Sequence, residues 1–95
     1  MAEIILYTKN NCPYSREAKS LCNILYIPYQ EYSIDGNNPK YNQIKQNLFK
    51  TFKHNSFPII IINKTVIGGY SELVDAYHSK KLHKLCAKIG INIIH

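Results

Sequence analysis

A chain of 95 residues is long enough for one hydrophobic core and too short to divide usefully into two, so a single domain over residues 1–95 with one site is expected. Its apolar residues, 45% of the total, fall in short periodic groups separated by Pro, Gly and Asn, which argues against disorder, and no stretch approaches the roughly 20 apolar residues of a membrane span. The net charge of +6 comes almost wholly from lysine, Arg16 being the only arginine; it fits a solvated lysine-rich surface, or attraction to acidic partners, nucleic acid or an anionic small molecule.

Ile4 to Thr8 reads as a short buried strand, with Lys9-Asn10-Asn11 as the loop after it. Pro13 then stands at a first helical position, and Ala18, Leu21, Cys22 and Leu25 repeat at the spacing of one helix face. Pro28 interrupts, Tyr29 to Ile34 alternates as a second strand, and residues 35–39 form a turn cluster. Tyr41, Ile44, Leu48 and Phe52 make a second helical stripe, and Phe57 to Ile62 is a β-branched strand covered on both faces. Asn63-Lys64 turns the chain into a fourth strand, Thr65 to Ile67, which Gly68-Gly69 ends. A helix from about Ser71 turns Leu73, Val74 and Tyr77 inward; another from about Lys80 carries Leu82, Leu85, Cys86 and Ile89 before Gly90 stops it.

The order β-α-β-α-β-β-α-α predicts an α/β fold: a four-stranded mixed sheet with helices on both faces, because a βαβ unit needs a right-handed crossover and the last two strands can only form a hairpin. Sheets of this kind place their site at the carboxyl end of a central strand, and Cys12 lies just beyond the first strand. A thiolate at a helix N-terminus accepts bonds from unpaired N–H groups and feels the positive end of the macrodipole, so its pKa should fall below about 8.5. Lys9 and Arg16 flank it with positive charge, and Ser15 offers a hydroxyl in the first turn.

The other cysteines read differently. Cys22 and Cys86 sit inside apolar helix stripes, as small core residues do, and Cys22 lies ten residues along the same helix from Cys12, roughly 15 Å away and beyond disulfide reach. His78, His83 and Cys86 have a superficially ligand-like spacing but no second Cys pair, so no metal site is assigned, and His54 and His95 decide nothing. An odd number of cysteines behind an opening Met1-Ala2-Glu3-Ile4, which lacks a basic signal region, favours reduced thiols in a soluble, cytosolic or organelle-lumen protein.

These residues resemble the glutaredoxin family. Tyr7 to Ser15 is similar to its active-site segment, usually Cys-Pro-Tyr-Cys; Ser56-Phe57-Pro58 is similar to its Thr-Val-Pro; and Gly68-Gly69-Tyr70-Ser71-Glu72-Leu73 is similar to its Gly-Gly-x-Ser/Asp-Asp-Leu. The resemblance implies a thioredoxin-like fold and a cytoplasmic, monomeric glutathione-dependent thiol–disulfide oxidoreductase, with glutathione as co-substrate and glutathionylated proteins as partners. It makes Cys12 the attacking thiol and Pro58 a cis-proline facing it, with the Phe57 backbone pairing with the cysteinyl part of glutathione like an added strand. Lys9 would bind the glycine carboxylate, helped by Lys45, with Gln46 beside it. Tyr14 would wall the groove, and Gly69, Ser71 and Glu72 would hold the γ-glutamyl end at a helix start, where an ordinary cap can serve at the same time.

Ser15 stands where a resolving cysteine is usual, which implies a monothiol cycle. The resemblance also leaves open a carrier of a 2Fe–2S cluster ligated by Cys and glutathione thiolates, although such members usually carry Gly where this chain has Pro13. A nucleic-acid-binding module is disfavoured, because the tyrosines are scattered and form no basic aromatic platform.

Overall fold

The computed structural model describes residues 3–94; Met1 and Ala2, on which the signal-peptide expectation rests in part, and His95 lie outside the described residues. The elements follow the expected order: β1 (Ile4–Lys9), α1 (Pro13–Ile24), β2 (Gln30–Ile34), α2 (Tyr41–Phe52), β3 (Ile59–Ile62), β4 (Thr65–Gly68), α3 (Tyr70–His78) and α4 (Lys81–Ala87). The strands form one mixed sheet in the order β2-β1-β3-β4, with β1 parallel to β2 and antiparallel to β3. The carboxyl end of β1 is therefore flanked by β2 on one side and the start of β3 on the other.

Alternation along β1 sets the two faces. Ile4 and Leu6 are buried on one side with Ile60 and Ile62 of β3, in a core shared with Ala18 and Cys22 of α1, Leu73 and Ala76 of α3, and Leu82 and Cys86 of α4. On the other side, Tyr7 stacks on Tyr32 of β2 and meets Phe52 of α2, both with ring centroids 5.4 Å away. The α2 stripe is only half-buried, since that helix covers its sheet face alone.

Several boundaries differ from those expected, each for a local reason. Lys9 pairs with Ile34 and so belongs to β1 instead of the loop. The third strand starts at Ile59 instead of Phe57, because Pro58, after a cis peptide bond, has no N–H for the ladder. On α3 the small Ala76 is buried beside Leu73, while Val74 and Tyr77 remain half-buried. Ile89 falls beyond α4, and Gly90 ends that segment at φ 81°. Asn63 and Lys64, at φ 47° and 68°, make the tight turn between β3 and β4.

A bulge between Ile60 and Ile61 re-aims the end of β4. There Gly68 adopts φ 121°, and a Cβ on it would lie 2.8 Å from the Glu72 side chain, so only glycine fits. This turn delivers residues 69–72 to the carboxyl end of the sheet.

Cys22 and Cys86 are unpaired thiols in the core. Burial, reinforced by the neighbouring Cys86, pushes the Cys22 thiol up to about 12, and burial raises Cys86 as well. The stability this contributes is complete below the ordinary thiol pKa and is lost as pH rises toward the folded value, because the unfolded chain releases its proton first. Cys22 alone then gives a slope of about −1.4 kcal/mol per pH unit. Denaturant unfolding at about pH 8 and about pH 10.5 should show a loss of stability that Cys22→Ala reduces by about 2 kcal/mol; an equal loss in both proteins would contradict it.

Candidate active site

After β1, Asn11 takes the left-handed conformation at φ 58°, which an Asn tolerates better than most residues, and turns the chain into α1. Cys12 is the N-cap, extended at φ −101° and ψ 116°, and Pro13 opens the helix with a fixed φ and no N–H to satisfy. The Cys12 carbonyl accepts the first helical bond, from Arg16 N–H at 3.1 Å. That leaves the Tyr14 and Ser15 N–H groups available to the sulfur.

Burial by itself pushes the Cys12 thiol up. The Ser15 hydroxyl, the Ser15 and Tyr14 N–H groups and the charge of Lys9 outweigh it and hold the thiol below its ordinary value. Ser15 is buried, and its Oγ accepts the Lys9 N–H at 3.3 Å, which aims the remaining O–H at Cys12. Arg16, given a supporting charge on sequence grounds, is exposed and is not among the groups that lower Cys12; water screens its charge there.

A groove of about 220 Å³ runs from Tyr14 between the loop before β3 and the start of α3, lined by Tyr14, Ser56, Phe57, Gly69, Tyr70, Ser71 and Glu72. Tyr14 is 63% exposed and stacks on Tyr70 with centroids 6.2 Å apart, forming one wall. Phe57 is braced against Phe49 of α2 at 5.3 Å. Pro58, next to the groove-lining Phe57, is buried with its carbonyl near Gly69.

Glu72 closes a capping box on α3: its Oε1 accepts the Gly69 N–H at 2.7 Å, and its Oε2 accepts the Ser71 hydroxyl at 2.9 Å. The Gly69 N–H, then the Ser71 hydroxyl, hold its carboxyl below the usual range, with a further contribution from His54. Lys9 and Lys45 come together over one ring: their Nζ atoms lie 5.4 and 5.3 Å from the Tyr41 centroid. Gln46 is exposed.

The structure thus brings Lys9, Cys12, Tyr14, Ser15, Lys45, Phe57, Pro58, Gly69, Ser71 and Glu72 to one end of the sheet and leaves Arg16 outside. Tyr41, Tyr70, Ser56 and His54 join them without having been named as site residues. His54 Nε2 lies 3.3 Å from Ser56 Oγ and would meet a Cβ on Gly69 at 3.0 Å, so it is wedged between the loop before β3 and the start of α3. Ser56 and Tyr70 lie inside the motifs quoted above and Tyr41 stands at i,i+4 spacing to Lys45, whereas His54 carries no such signal. Among the described residues, no three His, Cys, Asp or Glu side chains gather to hold a metal ion.

Replacing Ser15 by Ala should move the Cys12 thiolate absorbance titration upward, since one donor is lost and burial is not. An unchanged midpoint would show that the backbone and Lys9 alone set the thiolate.

A glutaredoxin family model matches residues 4–67. Glutaredoxin 3 of Escherichia coli is 36% identical over 73 residues, covering 77% of this chain and 83% of that protein. Oxidized glutaredoxin 2 from Chlamydomonas reinhardtii superposes with a TM-score of 0.81 at 25% identity, over 95% of this chain and 84% of that one. A buckwheat glutaredoxin–glutathione complex shares the fold at a TM-score of 0.84 and 20% identity, over 96% of this chain and 82% of that one. The three motifs and the sheet that assembles them have the same source: the chain belongs to the glutaredoxin family of glutathione-dependent thiol oxidoreductases.

Proposed function

We propose that this single-domain chain removes glutathione from protein mixed disulfides by a one-cysteine cycle. The observation that carries the reading is the pairing of Cys12 with a buried Ser15: position 15 supplies a hydrogen bond to the thiolate and no second thiol. The two remaining cysteines are core residues with raised pKa values, unsuited to resolving anything on Cys12.

In the first step the Cys12 thiolate attacks the glutathione sulfur of the mixed disulfide. The Cys12–glutathione bond forms, the bond to the protein sulfur breaks, and the released protein thiolate takes a proton from water. In the second step a glutathione thiolate attacks the glutathione sulfur held on Cys12, giving glutathione disulfide and returning the Cys12 thiolate. The same hydrogen bonds that favour the attacking thiolate make Cys12 a good leaving group in this second step.

Lys9 and Lys45, poised over Tyr41, suit the glycine carboxylate, and the Phe57 backbone suits antiparallel pairing with the cysteinyl unit. Tyr14 walls the groove. The Gly69 to Glu72 turn, with Ser71 at the start of α3, suits the γ-glutamyl end. The buckwheat glutaredoxin of the same fold is a glutathione complex, which supports glutathione as the ligand. Three unpaired thiols suit a reducing compartment, and the reading is of a cytoplasmic monomer; no described helix is long and apolar enough to cross a membrane.

Turnover of a glutathionylated peptide in a coupled glutathione reductase assay should vanish in Cys12→Ser and persist with Ser15 in place, while Ser15→Cys should gain reduction of protein disulfides. Turnover surviving Cys12→Ser would sink the reading. No turnover, with a brown chromophore after anaerobic loading with iron and sulfide, would favour the 2Fe–2S carrier instead. Lys9→Ala should raise KM for glutathione about three- to tenfold and change kcat less, as loss of a charge-assisted contact to a carboxylate requires; an unmoved KM would remove Lys9 from that role.

A further inference from the structure

His54 stands against the groove without a role in the cycle derived above. Its backbone is fixed, because Lys53 ends α2 in the left-handed conformation at φ 54° and the His54 N–H returns to the Phe49 carbonyl at 3.2 Å. The half-buried imidazole reaches across to the start of α3. A Cβ built on Gly69 would meet His54 Nε2 at 3.0 Å, Glu72 Oε1 at 3.3 Å and the Pro58 carbonyl oxygen at 3.4 Å, so these polar atoms surround one point. Gly69 itself is extended, at φ −100° and ψ −158°, a conformation open to any residue. The advantage of glycine there is steric: it leaves room for the imidazole.

These neighbours decide which way the hydrogen bond to Ser56 runs. Ser56 Oγ lies 3.3 Å from Nε2, and either atom could donate. A carboxylate and a carbonyl can only accept, so having both close to Nε2 favours the tautomer that carries its proton on that nitrogen. The charge of His54 also reaches the Glu72 carboxyl. Nε2–H then donates to Ser56 Oγ, and the Ser56 hydroxyl keeps its own proton for another acceptor. Ser56 is exposed and lines the groove with Gly69 and Ser71, so that acceptor is the ligand.

Glutathione brings two carboxylates to the protein. Lys9 and Lys45 suit the one on glycine, whereas the one on the γ-glutamyl unit arrives beside Glu72, where like charge opposes it. The Ser71 hydroxyl is committed to Glu72 at 2.9 Å. Of the two groove-lining serines, Ser56 is the one left to donate. We propose that His54 is a positioning residue for glutathione: by donating to Ser56 Oγ it turns the Ser56 hydroxyl onto the α-carboxylate of the γ-glutamyl unit. The inference rests on the deglutathionylation reading and deepens it by naming what the groove selects, a thiol compound whose γ-glutamyl end carries a free α-carboxylate.

The test follows the first step alone. Cys12 takes up glutathione from its mixed disulfide with 2-mercaptoethanol, releasing 2-mercaptoethanol, and the rate is read by intact mass under single-turnover conditions. It is compared with uptake of the analogue whose γ-glutamyl α-carboxylate is a carboxamide. The unmodified chain should favour glutathione by about tenfold, as loss of a charge-assisted hydrogen bond implies. His54→Leu and Ser56→Ala should each cut that preference to about threefold or less, and the double variant should cut it no further, because the two act as one unit. Where His54→Leu does not fold, Gly69→Ala takes its place, since the added Cβ displaces the imidazole. A preference unchanged in His54→Leu or in Ser56→Ala, or equal slowing with both compounds, would overturn the proposal. Uptake of both compounds at one rate by the unmodified chain defeats the role of His54 alone, whereas uptake of neither defeats the reading of the reaction and the inference with it.

Discussion

A thiolate must be solvated by something, and at Cys12 that work falls to the first turn of α1. The Tyr14 and Ser15 N–H groups, left without helical partners, point to the sulfur, and the buried Ser15 hydroxyl completes the set. This constraint reaches into the fold. The helix must begin one residue after the cysteine, which Pro13 ensures, and the cysteine must follow the central strand at once, which the left-handed turn at Asn11 allows. The link from Lys9 N–H to Ser15 Oγ ties the end of β1 to the first turn, so the donor is aimed by the backbone of the sheet.

The electrostatics follow the same geometry. Three of the six Asp and Glu carboxylates are engaged within the fold. Glu31 accepts the buried Thr8 hydroxyl at 2.6 Å and pairs with Lys19 at 3.1 Å, Asp35 is held by Asn10 and its own turn, and Glu72 caps α3. The Thr8 hydroxyl is the main reason the Glu31 carboxyl stays below its usual range, so that charge is compensated within the structure. The lysines near the site are not matched in this way. Lys9 and Lys45 both sit against the Tyr41 ring, two like charges near one another that an incoming carboxylate would relieve.

Much of this was legible in the sequence because periodicity and punctuation coincide. Ile4 to Thr8, the stripe of Ala18, Cys22 and Leu25, and the Asn63-Lys64 turn each carry a local signal, and their order left few ways to close a sheet. What escaped depends on distance across the fold. His54 reaches the groove only because Lys53 ends α2 in the left-handed conformation and the His54 N–H returns to the Phe49 carbonyl at 3.2 Å, and no spacing reports that. Arg16 illustrates the opposite error: adjacency in sequence suggested a charge acting on Cys12, yet on a helix a residue four positions on can stand in water while Lys9, on the strand, acts on the sulfur. The start of β3 is placed too early in the sequence because the apolar run begins at Phe57, whereas the ladder requires an N–H that Pro58 lacks.

In the one-cysteine cycle proposed above, serine at position 15 also changes what limits turnover. A cysteine there could expel glutathione from Cys12 from within the chain; a serine can only hydrogen-bond, so the adduct waits for a second glutathione to arrive from solution. That requirement places weight on two properties the structure combines. The adduct sulfur must stay accessible, which the exposed wall at Tyr14 and the open groove provide, and the incoming anion must be drawn in, which the uncompensated lysines favour. Burying Ser15 in turn fixes its hydroxyl, so the residue that cannot resolve the disulfide instead stabilises Cys12 as the departing thiolate. In that cycle, attack and departure at one sulfur depend on the same few hydrogen bonds, which links serine at position 15 to the geometry of the first turn.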